Sequence, residues 1–245
     1  MDMIMCTLDM RDESCREQAK ALLNDKSSAV IMLGTEMVDG DIQLLREITT
    51  PFIVIDYWNG DMSFNAIKAN NEDSVRYAID YLIRKGHKQI GYLKGRFRIV
   101  PFKDRETGYR TGMLKAGLPV EEKYTLEVGT TMDAAYADMK RYLEEKIKLP
   151  TAFMADNDMI ALGAMKAMAE YGVRIPEEVS VIGFDDLPFS AISSPPLTTL
   201  RVPKQEIGRI ATRRLIQMIK ERQEAGVKIE VSTQFVERGS VKTIK

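Results

Sequence analysis

Histidine is nearly absent from this chain: His87 is the single one among 245 residues. Acid–base chemistry near neutral pH is therefore left to carboxylates. Cysteine is also scarce. Cys6 and Cys15 fit no zinc spacing, and no second cluster exists to complete a tetrahedral site. No metal is expected, and the two read as reduced thiols of a cytoplasmic protein. No apolar run approaches the roughly 20 residues of a membrane helix. The N-terminus lacks a signal-peptide pattern, since Asp2 and Asp9 bracket its short apolar run with no basic region before it. There is no glycine-rich phosphate loop and no nucleophile elbow. An excess of one charge is missing too: the net charge of -1 gives no support for a nucleic-acid-binding surface. The expectation is a protein with no catalytic residues and no cofactor, not an enzyme and not at a membrane.

What is present alternates. Strand-like and helix-like segments follow one another along the chain, the order of βαβ units around parallel sheets. Strands are expected at 3–8, 29–33, 52–55, 90–93, 124–128, 152–155, 179–184 and 229–236. Helices are expected at 12–23, 41–48, 72–85, 104–116, 133–145, 159–171 and onward from Pro203. In the helix at 72–85, Val75, Ala78, Ile79, Leu82 and Ile83 fall on one face. Gly86, Gly117 and Gly172 stand where three helices should stop. The last helix has an apolar stripe of Ile207, Ile210, Ala211, Leu215, Met218 and Ile219, which leaves Arg201, Lys204, Arg209, Arg213 and Arg214 for a solvated side. Two similar α/β halves are separated only by His87-Lys88-Gln89, too short for a flexible linker. They should meet through tight crossovers, a geometry that makes a cleft for a small ligand. His87 is expected to face carbonyls at its helix end.

The apolar strand at 179–184 ends abruptly in Asp185-Asp186. Carboxylates so placed sit at the C-terminal tip, where open α/β sheets bind ligands. Pro195-Pro196 then forces an extended segment. The stretch from Glu178 through Gly183-Phe184-Asp185-Asp186 to Leu197-Thr198-Thr199-Leu200 resembles the effector-binding core of the lactose-repressor (LacI/GalR) family. Three further motifs carry the same resemblance: Gly86-His87-Lys88-Gln89-Ile90-Gly91-Tyr92-Leu93, Arg105-Glu106-Thr107-Gly108-Tyr109, and Asp156-Asn157-Asp158 followed by Ala161-Leu162-Gly163. All four stand in the family's order and span about residues 52–202. The resemblance implies an α/β type I periplasmic-binding-protein fold: two Rossmann-like (flavodoxin-like) parallel-sheet lobes joined by three crossovers. Carried over, the N-terminal lobe is 1–88 plus 197–225, and the C-terminal lobe is 89–196 plus 226–245.

The candidate effector contacts also make chemical sense. Arg105 offers a rigid fork of donors, Asp185 accepts from vicinal hydroxyls, and Asn157 both donates and accepts. Asn71 stands where the family has the Asn of Asp-Asn. Tyr57, Trp58 and Phe189, in loops near strand tips, are suited to stacking on a sugar face. Each has a plainer reading. Arg105 could be an ion-pair partner at a helix head, and Asp185 could cap a turn, the role favoured for Asp186. Asn157 and Asn71 could cap helices, and Trp58 could plug the lobe interface.

The family's N-terminal helix-turn-helix, its hinge, and the opening strand and helix of lobe one are not visible in this sequence. The resemblance therefore implies the effector-binding and allosteric core of a LacI-type repressor. It would take a sugar-like effector and form a homodimer, and would reach operator DNA only through the missing headpiece. The competing function is a solute-binding receptor of a sugar transporter.

Overall fold

The computed structural model describes residues 29–37, 41–58, 60, 63–221 and 225–244. The strand expected at 3–8, the helix expected at 12–23 and both cysteines lie outside them. The chain divides into two compact units, Met1–Lys68 with Lys204–Val231, and Ala69–Pro203 with Ser232–Lys245. It therefore passes between them three times, as the fold class requires.

The first unit holds β1 (Val30–Leu33), α1 (Ile42–Glu47), β2 (Phe52–Ile55) and β3 (Asn65–Ala69), and later the long α7 (Lys204–Glu221) and β9 (Lys228–Val231). Its sheet runs β1-β2-β3-β9, with β1, β2 and β3 parallel and Val30 opposite Phe52. The sequence reading has no strand at β3, because Asn65 and Lys68 interrupt its apolar run. Both are nonetheless buried. Asn65 Oδ1 accepts from Arg214 Nε at 2.9 Å and from the Val227 amide at 3.1 Å. Lys68 Nζ lies 3.4 Å from Glu230 and 4.1 Å from the centre of the Trp58 ring. Arg214 is thus a buried structural donor on α7, not one of a solvated row.

The second unit is built on β4 (Ile90–Gly95), β5 (Thr125–Val128), β6 (Ala152–Ala155) and β7 (Ser180–Ile182). They form a parallel sheet in the order β5-β4-β6-β7. Strand direction of travel reverses at β4, so the tips of β4 and β6 flank a topological switch point. Alternation along the strands divides the core in two. Leu93, Phe153, Ala155 and Val181 pack beneath α4 (Met132–Glu144) and α5 (Asp158–Glu170). Ile90, Tyr92, Met154, Ile182 and Phe184 pack with α2 (Asn71–Arg84) and α3 (Val100–Lys115). This second cluster draws the division of the chain at Lys68/Ala69, where the sequence reading has it near Lys88: Val75, Ala78, Ile79 and Leu82 of α2 are buried with Tyr92, Tyr109 and Met113.

Beyond β7 the chain stays extended but changes partner. The Gly183 and Asp185 amides donate to the carbonyls of Thr198 and Leu200 at 2.9 and 2.8 Å. After α6 (Pro188–Ile192), β8 (Thr199–Arg201) pairs antiparallel with β10 (Gln234–Val236). The single strand expected at 229–236 is therefore two strands, β9 and β10, in different units, with Ser232-Thr233 between them. His87 is fully buried and bonds Thr151 Oγ1 at 3.0 Å and the Lys242 carbonyl at 3.1 Å. It ties the end of α2 to the C-terminal segment, and burial pushes its pKa down.

One contact sets how α2 and α3 meet. A Cβ on Gly108 would lie 2.3 Å from the Glu72 carbonyl oxygen, in the first turn of α2. Only glycine permits that approach, and it carries Arg105, one turn earlier on α3, up to Asn71. Gly108→Ala should lower stability by about 1–3 kcal/mol through overpacking, read as a lower urea midpoint at unchanged slope. A midpoint equal to wild type would mean the helices do not meet there.

Candidate functional site

The Arg105 side chain is a charge taken almost entirely out of water, with 6% of the residue exposed. Its Nε donates to Asn71 Oδ1 at 2.9 Å. One terminal nitrogen donates to the main-chain carbonyl of Asp156, and the other lies 3.5 Å from Asp185 Oδ1. The guanidinium carbon sits 3.6 Å from the centre of the Phe184 ring and 5.5 Å from that of Phe102. A planar cation stacked on an aromatic face and held at its edge by fixed oxygens has one orientation.

Local structure places each partner. Asn70 caps α2, its side chain accepting from the Asp73 amide, so Asn71 begins the helix instead of capping it. The Asn71 side-chain Nδ2 donates to the Ala69 carbonyl at 3.1 Å, which turns its Oδ1 toward Arg105. Asp185 follows the last residue of the β7 extension at φ +109°, and Asp186 follows it at φ +51°. Two consecutive non-glycine residues in that region cost on the order of 1–3 kcal/mol each and persist only where the surroundings hold them. Asp186 supplies that hold. It is not a turn cap: its carboxylate bonds Arg201 Nε and Arg238 at 2.6 Å each. Burial alone would raise its pKa, but the two arginines hold it below the ordinary value.

Asp158, at the start of α5, pins the other side of the turn. Its carboxylate accepts from the Leu187 amide at 2.8 Å, Ser190 Oγ at 2.6 Å and Thr199 Oγ1 at 2.6 Å. Burial nevertheless pushes its pKa up. A Cβ on Gly183 would lie 2.2 Å from Asp158 Oδ1, which explains the glycine before Phe184. Asp185 is thereby left with its carboxylate a quarter exposed and facing the arginine fork.

The structure brings together three of the sequence-predicted residues, Arg105, Asp185 and Asn71. Asn157 caps α5 through the Ile160 amide at 2.9 Å, the plainer of its two readings. Tyr57 has no exposed surface and is a core residue of the first unit, so the stacking expected of it is replaced by packing. Trp58, in the same unit, is half-buried with the Lys68 ammonium over its ring. Phe189 lies on α6 and is 59% exposed. Sequence reasoning passed over Phe184, which provides the stacking face, and Asp156, which provides the carbonyl. The signal for Asp156 was its position, a carboxylate directly after the four apolar residues of β6. Among the described residues no cluster suited to a metal ion is found, and no helix is long and apolar enough to cross a membrane.

Comparison with known proteins gives a consistent picture. Residues 79–241 match the family described as periplasmic binding protein-like domain. The HTH-type transcriptional repressor PurR of Haemophilus influenzae (strain ATCC 51907 / DSM 11121 / KW20 / Rd) is 32% identical over 243 residues, 97% of this chain and 71% of that protein. A transcriptional regulator CelR–cellobiose complex superposes with a TM-score of 0.84 at 26% identity, over 94% of this chain and 71% of the other. A sugar-binding transcriptional regulator (LacI family) from Escherichia coli, complexed with phosphate, gives 0.82 at 26% identity over 94% and 82%.

Removing the oxygen that anchors Arg105 tests the geometry. Asn71→Ala should cost about 1.5–3 kcal/mol in urea denaturation, the range for a lost hydrogen bond to a charged group. A cost below about 0.5 kcal/mol, the range of neutral surface changes, would show that Asn71 does not hold the guanidinium.

Proposed function

We propose that this chain, which belongs to the LacI family of transcriptional repressors and carries that family's periplasmic-binding-protein-like domain, senses its effector at the Arg105–Asp185 fork. The observation that carries the proposal is the pairing itself. A buried guanidinium and a partly exposed carboxylate stand 3.5 Å apart, held by residues already satisfied. The cation is balanced by the anion, so the fork offers donors and acceptors side by side with little net charge. Neutral vicinal hydroxyls match that array better than a phosphate does.

The effector is a sugar or sugar derivative, bound and not turned over. Asn71 orients Arg105 instead of touching the effector. Asn157, Trp58 and Phe189 remain candidate contacts. Effector binding biases the repressor between two states, so the same coupling links it to operator binding. The repressor is cytoplasmic, acts as a homodimer, and reads DNA through a headpiece of the kind its HTH-type relative is named for. A transporter's receptor would share the fold, but repressor relatives favour the regulatory role.

Thermal shift against cellobiose, D-ribose, D-glucose and glucose phosphate tests this. A sugar at 100 times its dissociation constant should add about 2.7 kcal/mol. The increment should vanish in Arg105→Ala and in the milder Asp185→Ala, and the sugar should be recovered unchanged. An increment kept in both variants would remove the fork from the site, and turnover would make the protein an enzyme.

A further inference from the structure

Asp156 has three donors on its carboxylate, and no contact with an effector is needed to explain it. It follows β6 directly and is fully buried at the switch point between β4 and β6. One carboxylate oxygen accepts from the Tyr92 hydroxyl. The other accepts from the Gly95 amide at 2.6 Å and from Arg98 Nη1 at 2.8 Å. Its main-chain carbonyl accepts from Arg105. A single residue thus joins the tip of β4, the loop at 96–99 and the arginine of the fork.

Arg98 is the other half of the device. Its guanidinium also donates to the Phe102 carbonyl at 2.9 Å, to the Gly95 carbonyl at 3.4 Å and to Glu106 Oε2 at 2.8 Å. It therefore straps the β4–α3 loop to α3 at Glu106, the residue next to Arg105. Arg98 bridges two carboxylates whose pKa values are shifted in opposite directions. Burial pushes Asp156 up to about 6, against the opposing pull of Arg98, Tyr92, Gly95 and Arg105. Burial would raise Glu106 as well, but hydrogen bonds from Lys94 and Arg110, with the charges of Lys94 and Arg98, hold it below its ordinary value. The Tyr92 hydroxyl is driven well above its usual range by burial and by Asp156, so it stays a donor throughout.

These are the charged and titratable groups facing Asp156: Tyr92 and, through Glu106, Lys94 from β4; Arg98 from the loop; Arg105 and Glu106 from α3. Falling pH neutralises Asp156 first. Three donors then converge on a carboxyl that has become a donor itself, while Glu106 keeps its grip on Arg98.

We propose that Asp156 is a positioning residue for Arg105: its ionised carboxylate fixes the 96–99 loop, through Arg98 and Gly95, and the carbonyl that aims the guanidinium, so that its protonation loosens the fork and weakens effector binding. The mechanical part stands on the contacts above. Only the effect on binding rests on the reading of Arg105 as an effector contact.

Side-chain NMR of the arginine Nε–H groups in the full chain, without effector, tests the mechanical part. Between pH 7.5 and 5.0 the Arg98 and Arg105 signals should move together with a midpoint near 6. In Asp156→Asn they should sit at the low-pH position already at pH 7.5 and stop titrating. Arg98→Met, which leaves Asp156 in place, should shift Arg105 and raise the midpoint, because the cation that favours the carboxylate is gone. This second variant decides the matter if Asp156→Asn fails to fold by circular dichroism. Arginine signals that stay still across this range, or titrate alike in wild type and the folded variants, would overturn the proposal. The binding part is read with cellobiose, D-ribose, D-glucose and glucose phosphate. Any that binds wild type should bind at least threefold more weakly at pH 5.0 than at pH 7.5, with the difference abolished in Asp156→Asn and its midpoint raised in Arg98→Met. An equal pH effect in the folded variants would overturn the binding part. Retained sugar binding in Arg105→Ala beside a normal arginine titration would overturn the effector reading and leave the positioning intact.

Discussion

A guanidinium cannot be buried without compensation. Removing an ion from water costs several kcal/mol, even after relaxation, and partners of fixed geometry must return that energy. Arg105 meets this condition with an amide oxygen from Asn71, a main-chain carbonyl from Asp156, and a carboxylate and an aromatic face from the adjacent Asp185 and Phe184, three segments in all. Much of the second unit can be read as the means of bringing those four together. Gly108 lets α2 approach α3, Asn70 takes the capping role so that Asn71 is available, and β6 delivers the Asp156 carbonyl at its tip.

The acidic residues around it divide the work by environment. Asp156 is sealed in and ties strand to loop, Asp158 gathers three donors beneath α6, and Asp186 sits between two arginines. The carboxylate of each is engaged by donors other than Arg105. Asp185 differs in that its side chain stays a quarter exposed, with the Arg105 guanidinium 3.5 Å away. Its positive φ is sustained by neighbours anchored on both sides. A strained residue held by a saturated frame is what a site looks like when the frame exists to present it.

The sheet-and-helix order was legible because its signals are local. Apolar stripes marked the helices, glycines marked three of their ends, and the short apolar runs gave most of the strands within a residue or two. The Arg-x-x-Gly-aromatic and Asp-Asp motifs pointed to Arg105 and Asp185. What could not be read depended on partners far along the chain. β3 escaped because Asn65 and Lys68 look solvated until Arg214, Val227 and Glu230 are placed beside them. The last strand reads as one because period-2 alternation runs across a crossover that only pairing reveals. Tyr57 and Trp58 look alike as loop aromatics, and only packing separates the fully buried one from the half-buried one. Asp156 was visible as a motif residue, but its importance lies in three donors that sequence distance hides.

The account stands on the claim that an effector engages the Arg105–Asp185 fork directly. Titrating a binding sugar while following the Arg105 Nε–H and the Asp185 side-chain carboxyl by NMR measures this most directly. Both signals should move and saturate together, at the dissociation constant read by calorimetry. Saturable binding that leaves both signals in place would contradict it.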